Sequence, residues 1–368
     1  MIVFPLDEQA YWLGFSLVPG IGSKRILSLL SQFDSLKAAW HASDSELHKA
    51  GLGEKAMTGF IKLRQQLDLA AQMKRIKDVG AWLLIYTDAR YPKLLRQLDD
   101  PPAVLYVRGT LQPQDAHALG IVGTRKASRY GYDATFQLSR DLAYQGVTII
   151  SGMAQGVDAA AHRGAIQAGG RTIAVMGCGV DIIYPQEHKE LAAQIVQHGA
   201  IISEFNMGTN PIGANFPRRN RLISGMSLGV LVTEAPEKSG SLITASFAAE
   251  QGREVFALPH NIYNKQGSGT NRLIQDGAKL ITDITDILNE LNIAYQTVET
   301  RTRTEQIAPS NETERLILQH LAVDPIHIDD LTRLCGLSIA EVTSTLTILE
   351  LKGLAQMVGH MQYSRMLT

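Results

Sequence analysis

Apolar residues recur at helical spacing in Tyr11 to Leu17 and again in Ile26 to Phe33, so residues 6 to 75 read as a set of short helices. From Trp82 the pattern changes to short β-rich runs, Trp82 to Tyr86 and Ala103 to Val107, with Asp99-Asp100-Pro101-Pro102 forcing an extended approach to the second. Between 119 and 290 strand-like and helix-like segments alternate. The strand candidates are Leu119 to Val122, Val147 to Ile150, Thr172 to Met176, Ala200 to Ile202, Val230 to Val232, Val255 to Leu258 and Lys279 to Ile281. Helices are predicted over Tyr132 to Gln145, Asp158 to Ala168, Glu187 to His198 and Ser241 to Gln251, each stopped by a glycine. Near-continuous apolar strands joined by helices predict an α/β fold, an extended Rossmann-like parallel sheet covered on both faces. A polar interval, Thr297 to Ser310, lacks any apolar period. Beyond it, helices over Glu314 to Leu321, Ile328 to Leu334 and Ile339 to Leu351 precede a hairpin over Leu354 to Tyr363, the order of a winged helix. The predicted organisation is a helical, helix-hairpin-helix or SAM-like domain over 1–78, the Rossmann-like domain over 79–293, a linker over 294–312 and a winged-helix-like domain over 313–368.

The composition, with 45% hydrophobic and 19% charged residues in 368, is that of an ordinary globular chain. A net charge of -1 supplies no overall basic field, so any nucleic-acid footprint must come from local clustering. Two distant cysteines, Cys178 and Cys335, make neither a disulfide framework nor a zinc motif and fit a reducing cytoplasm. The N-terminus lacks a basic segment followed by a long apolar one, and no later stretch is apolar enough to span a bilayer, so no membrane association is expected.

The candidate chemistry gathers where the strands end. Asn215 to Ala245 carries Phe216, Arg218, Arg219, Asn220 and Arg221, then an apolar run, then Lys238-Ser239-Gly240-Ser241 at a helix start. Arginine forks grip phosphate, helix N-termini accept anions, and an aromatic face stacks on a base, which suits a phosphate-bearing polymer, preferably single-stranded. The turns Gly123-Thr124-Arg125-Lys126, Ser151-Gly152 and Gly177-Cys178-Gly179 fall on the same edge if the strands are parallel. Each has a structural reading beside the functional one: Phe216 also fits a core anchor, Ser151-Gly152 also fits tight helix packing, and one of the arginines also fits a partner for Glu204 or Glu234. Val18 to Lys24 and Gly51 to Lys55 fit either a phosphate-holding helix-hairpin-helix turn or a plain αα turn.

Enzyme motifs fail. Gly177-x-Gly179 lacks the third glycine of a dinucleotide fingerprint, there is no P-loop, no HExxH and no G-x-S-x-G elbow, and no acidic cluster marks a nuclease. No catalytic residue, metal ligand or cofactor is expected. The winged-helix-like domain's second helix, from Ser338, is poor in Arg and Lys, which counts against base reading in a groove.

The chain resembles the bacterial DNA-processing protein A family (DprA, also called Smf) over nearly its whole length. The blocks that carry the resemblance are Tyr91-Pro-Lys-Leu-Leu with Asp100-Pro-Pro-Ala-Val-Leu-Tyr, Val122-Gly-Thr-Arg125, Ser151-Gly-Met-Ala-Gln-Gly-Val-Asp158, Gly177-Cys-Gly-Val-Asp181 with Tyr184-Pro185, Asn215-Phe-Pro-Arg-Arg-Asn-Arg-Leu-Ile-Ser224 and Lys238-Ser-Gly-Ser-Leu-Ile-Thr-Ala245. The resemblance implies single-stranded DNA binding, a homodimer formed through the Rossmann-like core, and loading of the RecA recombinase onto incoming DNA during natural transformation. It also implies that Gly123, Thr124, Arg125, Lys238, Ser239, Gly240, Phe216, Arg219, Asn220 and Arg221 face DNA. Thr124 stands where the family has serine, Val157 where it has isoleucine, and His260 where glycine is usual, which leaves the backbone course after Pro259 open. The alternative is a Rossmann-type enzyme acting on a nucleotide or nucleoside phosphate at the same edge, with Glu234 or Asp158 moving a proton.

Overall fold

In the computed structural model, residues 7–293, 311–322, 324–359 and 361–365 are described. The predicted linker, 294–312, lies outside them except for its last two positions. Six helices open the chain: α1 (Glu8–Ser16), α2 (Ser23–Leu30), α3 (Leu36–His41), α4 (Asp44–Lys49), α5 (Glu54–Gln66) and α6 (Leu69–Asp78). Asp7, Ser35, Ser43 and Asp68 cap four of them by accepting a backbone N–H. Their interior is aromatic, with Phe15 stacked on Phe60 at 4.9 Å and Trp40 edge-on to both. In the Gly20-Ile21-Gly22 turn the Arg25 guanidinium donates to the Gly20 carbonyl, so the chain's own cation occupies that turn.

The sheet follows, with β1 (Ala81–Ile85), α7 (Lys93–Arg96), β2 (Val104–Gly109), β3 (Ala118–Val122), α8 (Arg129–Tyr144), β4 (Thr148–Ser151), α9 (Val157–Gln167), β5 (Thr172–Val175), α10 (Lys189–His198) and β6 (Gly199–Ser203). It is completed by α11 (Asn215–Gly225), β7 (Gly229–Val232), α12 (Gly240–Glu250), β8 (Glu254–Ala257), α13 (Ser268–Gln275), β9 (Lys279–Leu280) and α14 (Ile284–Glu290). The nine strands lie in the order β1-β2-β6-β5-β4-β3-β7-β8-β9. All neighbouring pairs are parallel except those of β2, which runs antiparallel to both β1 and β6. The two accessory runs before residue 110 thus extend the same sheet.

Alternation along the buried strands sends successive side chains to opposite faces. Val122, Ile150 and Val230 pack with Leu222, Ile223, Ala245 and Ala248, which puts α11 and α12 on one face. Ile121, Ile149 and Leu231 pack with Leu142, Ala161 and Ile287, which puts α8, α9 and α14 on the other. The N-terminal helices share a core with Leu83, Tyr106, Leu191 and Ile195, so they cover the β1–β2 extension and form one compact unit with the sheet.

The second unit holds α15 (Glu312–His320), β10 (Ile326–His327), α16 (Ile328–Cys335), α17 (Ile339–Leu351), β11 (Ala355–Gly359) and β12 (Gln362–Arg365). Its three strands pair antiparallel as β10-β12-β11, adding one strand to the predicted hairpin. Gly336, at φ 65°, ends α16, and Ser338 with Glu341 forms the capping box of α17, which gives the tight turn of a helix-turn-helix. This is the predicted winged helix. α17 contains no Lys or Arg.

Helices α8 and α9 touch at Gly164, where an added Cβ would lie 2.2 Å from Ser139 Oγ and 2.3 Å from the Phe136 carbonyl. Gly164→Ala is therefore expected to cost about 1–3 kcal/mol of stability, measured as a lowered melting temperature of the sheet-containing unit; an unchanged melting temperature would contradict this packing.

Candidate nucleic-acid interface

Strand order reverses between β3 and β7, because β4 flanks β3 on one side while β8 flanks β7 on the other. The chain leaving β3 turns to one face and the chain leaving β7 to the other, which opens a crevice at their carboxyl ends. A cleft of about 350 Å³ lies there, walled by Gly123 to Arg125, Asp158, Phe216, Arg219, Asn220 and Lys238 to Ser241.

Backbone contacts fix the β3 turn. An added Cβ at Gly123 would sit 2.6 Å from Val157 Cγ2 and 2.7 Å from the Glu234 carbonyl, so only glycine passes. Thr124 N–H donates to the Glu234 carbonyl at 2.7 Å, and Thr124 Oγ1 accepts from Lys126 N–H at 3.2 Å. Thr124 is thereby buried while Arg125 and Lys126 are thrown outward, the Arg125 guanidinium lying 5.2 Å from the centre of the Phe216 ring. Across the cleft, Ser239 Oγ accepts from Ser241 N–H at the start of α12, and Lys238 stands exposed beside it.

The Arg218–Arg221 cluster lies on α11, a helix that the strand and turn reading did not anticipate. The signal was present: Arg219, Leu222, Ile223 and Met226 are spaced i, i+3, i+4, i+7, all are buried, and Pro217 falls within the first turn, where it is tolerated. The helix divides the arginines. Arg218, exposed, pairs with Glu204 at 3.3 Å and lies over Phe205. Arg221 also pairs with Glu204 and donates to the Asp100 carbonyl at 2.7 Å. Arg219 is 4% exposed and donates to the carbonyls of Gly152, at 2.8 Å, and Val175. Burial pulls its guanidinium down to about 10, against the pull of Asp158. Burial likewise pushes the Asp158 carboxyl up, with Arg219 opposing.

These contacts give five of the expected DNA-facing residues a structural task. Ser151 is buried and its hydroxyl donates to the Ile121 carbonyl at 2.6 Å. Gly152 is a landing site for Arg219, whose Nη2 lies 2.4 Å from where its Cβ would be. Arg219 and Arg221 are tied to backbone carbonyls and to Glu204. Phe216, half-buried, is packed by Gly177, Tyr184, Arg125 and Arg219, which is an anchor's environment. Asn220 Nδ2 donates to the Gly240 carbonyl at 3.3 Å and joins α11 to α12. Gly123, Thr124, Arg125, Lys238, Ser239, Gly240 and Ser241 do come together around the crevice, and Lys126 is exposed beside Arg125, outside the lining. The loop after Pro259 is also fixed: His260 Nε2 lies 2.8 Å from the Thr233 carbonyl, and Asn271 bonds both its N–H and its C=O.

Glu234 has a role that spacing alone did not reveal. Fully buried, its carboxylate accepts from Ser128 N–H at 2.7 Å and Ser128 Oγ at 2.6 Å, at the N-terminus of α8. An added Cβ on Gly131 would lie 2.3 Å from it. A protein carboxylate thus fills the place at the first helix of the fold where a dinucleotide's phosphates would sit. Among the described residues, no cluster of His, Cys, Asp and Glu could hold a metal ion, and no helix is long and apolar enough to cross a membrane.

Two stability effects follow. Arg219→Met strands two buried carbonyls and is expected to cost about 3 kcal/mol, whereas Arg218→Ala at the surface should cost under about 1 kcal/mol; comparable melting temperatures for the two would contradict the assigned burial. Burial also depresses His162, from 6.5 to about 3, and its Nδ1 bonds Thr172 Oγ1 at 2.6 Å. Between those values the unfolded chain takes up a proton that the folded chain refuses, so stability falls as pH drops below 6.5. The loss at pH 5 is about 2 kcal/mol. Urea unfolding of His162→Phe should show a flatter acid limb than the parent, and an identical limb would refute the assignment.

Comparison with known proteins fits this architecture. Residues 82–292 match the family model described as DNA recombination-mediator protein A, and residues 301–359 match the DprA winged helix domain. Protein Smf of Synechocystis sp. is 34% identical over 98% of this chain and 99% of its own length. DNA processing protein DprA of Bacillus subtilis is 43% identical over 60% of this chain and 75% of its own. The X-ray structure of DNA processing protein A from Streptococcus pneumoniae superposes with a TM-score of 0.66 at 32% identity, covering 80% of this chain and all of that one. A DNA processing protein A from Helicobacter pylori, whose structure concerns its single-stranded DNA binding mode, aligns with a TM-score of 0.53 at 34% identity over 59% of this chain and 97% of its own. The chain belongs to the DNA recombination-mediator protein A (DprA/Smf) family.

Proposed function

We propose that the crevice between β3 and β7 holds the backbone of single-stranded DNA, and that the chain is a non-enzymatic mediator that protects incoming DNA and loads RecA onto it during natural transformation. The observation that carries this reading is the division of charge at the crevice. Arg219 and Arg221 are committed to the fold, while Arg125, Lys126 and Lys238 project from two facing turns with no carboxylate partner among the described residues. Uncommitted cations facing one another across a crevice suit a chain of phosphates. The single-stranded DNA binding mode of the Helicobacter pylori relative supports the same ligand. RecA loading, natural transformation and a cytoplasmic location extend family membership to this chain. The homodimer does so too. β9 is a short edge strand with Leu280 exposed, and the core's free edge there suits a second copy.

The nucleotide-enzyme reading is weaker on one specific ground. Glu234, one of its two candidate acids beside Asp158, is buried and bonded to Ser128, and it occupies the phosphate-accepting end of α8.

Fluorescence-anisotropy titration of labelled oligo-dT at two salt concentrations tests the proposal. Arg125→Ala and Lys238→Ala should each weaken binding for every sequence and reduce the salt slope by about one. Parent-like affinity and slope in both variants would remove the crevice as the DNA site. A rise in melting temperature with a mononucleotide but not with an oligonucleotide would favour the enzyme instead.

A further inference from the structure

The loop between β8 and α13 carries the two most exposed large apolar side chains among the described residues, Ile262 at 82% and Tyr263 at 88%. Floppiness does not explain this exposure, because the loop is braced throughout. Asn261 Oδ1 accepts from Tyr263 N–H at 3.0 Å, and Asn264 N–H donates to the Asn261 carbonyl at 2.9 Å. Asn264 Oδ1 accepts from Gln266 N–H at 2.9 Å. At the base, Asn271 clasps His260, whose ring packs on Gly267 so tightly that a Cβ there would lie 2.1 Å away. The same ring reaches the Thr233 carbonyl at the end of β7, and Tyr130, 43% exposed, stands edge-on to it at 5.1 Å.

This loop adjoins the proposed DNA crevice. β8 lies next to β7, and the β7 turn that bears Lys238 is bonded to the start of α13, through Gly269 N–H to the Ala235 carbonyl at 2.8 Å and Glu237 N–H to Ser268 Oγ at 3.2 Å. Residues 259–275 contain no Asp or Glu. A strand of nucleic acid leaving the crevice past Lys238 thus meets an acid-free, rigid loop displaying an aromatic ring and an aliphatic side chain.

The geometry points to Ile262 and Tyr263 as a base-stacking platform that continues the single-strand path beyond Lys238. The inference rests on the crevice being the single-strand site and assigns that site a second segment. Stacking is sequence-tolerant, since every base has a π-face, and the braced loop has little conformational freedom left to lose on binding. The ionic grip in the crevice and the apolar grip on the loop should therefore separate experimentally, by salt and by length.

The test is anisotropy titration of the full chain with a ladder of oligo-dT from about 4 to 20 nucleotides, a range chosen to bracket known single-strand site sizes. Tyr263→Ala should lower the affinity for long oligonucleotides on the order of 10-fold, leave the shortest ones unaffected and keep the parent salt slope. Tyr263→Phe should restore long-oligonucleotide binding. Parent-like binding of every length by Tyr263→Ala overturns the inference while leaving the crevice in place. If light scattering then shows that Tyr263→Ala has lost self-association, the loop is an interface between copies instead. If the parent itself binds no oligonucleotide of any length, the reading of the crevice fails and this one with it.

Discussion

A parallel sheet whose strand order reverses cannot close the gap at its reversal, because the chains leaving the two central strands must cover opposite faces. Here those strands are β3 and β7, and the rest of the edge is arranged around keeping them together while their turns diverge. Thr124 N–H reaches across to the Glu234 carbonyl, and the Glu234 side chain reaches back to Ser128 at the start of α8. Gly123 and Gly131 are the two places where these crossings leave no room for a Cβ. The crevice is thus open by topology and held at fixed width by one residue's backbone and side chain acting in opposite directions.

That arrangement also sorts the charges. A buried guanidinium is costly unless its donors are used, and Arg219 uses them on the strand ends of β4 and β5, which draws α11 against the sheet. Glu204 does the complementary task by holding Arg218 and Arg221 from below. The cations left over are Arg125 and Lys238, which line the crevice, and Lys126, exposed beside Arg125. With a net charge of -1 for the chain, this local surplus is where an anionic polymer would gain its attraction.

Much of this was legible in the sequence because the periodicities are strong. The strands from Leu119 to Ile281 are found within a residue or two and the glycine-stopped helices within three, since buried parallel strands leave unbroken apolar runs. Less legible was whatever depends on partners distant in sequence. Three arginines in four positions read as one cationic patch, yet α11 turns by roughly 100° per residue, so neighbours in sequence meet different surroundings. Ser151 read as a site hydroxyl because it ends a strand at the right edge; only the neighbouring strand shows that its proton is spent on Ile121. The antiparallel sense of β2 likewise comes from its pairing across to β6, distant in the chain, and not from its own composition. His260, a departure from the family's glycine, is accommodated because Gly267 leaves space for its ring.

The central claim is that single-stranded DNA lies along the carboxyl edge of the sheet at the β3–β7 reversal. Photocrosslinking of an oligonucleotide carrying iododeoxyuridine, followed by mass-spectrometric mapping of the attached peptides, tests it most directly. Adducts concentrated in peptides containing 123–126 and 236–244 are expected. Adducts confined to the winged helix, residues 311–365, or to the N-terminal helices would place the DNA elsewhere and contradict the account.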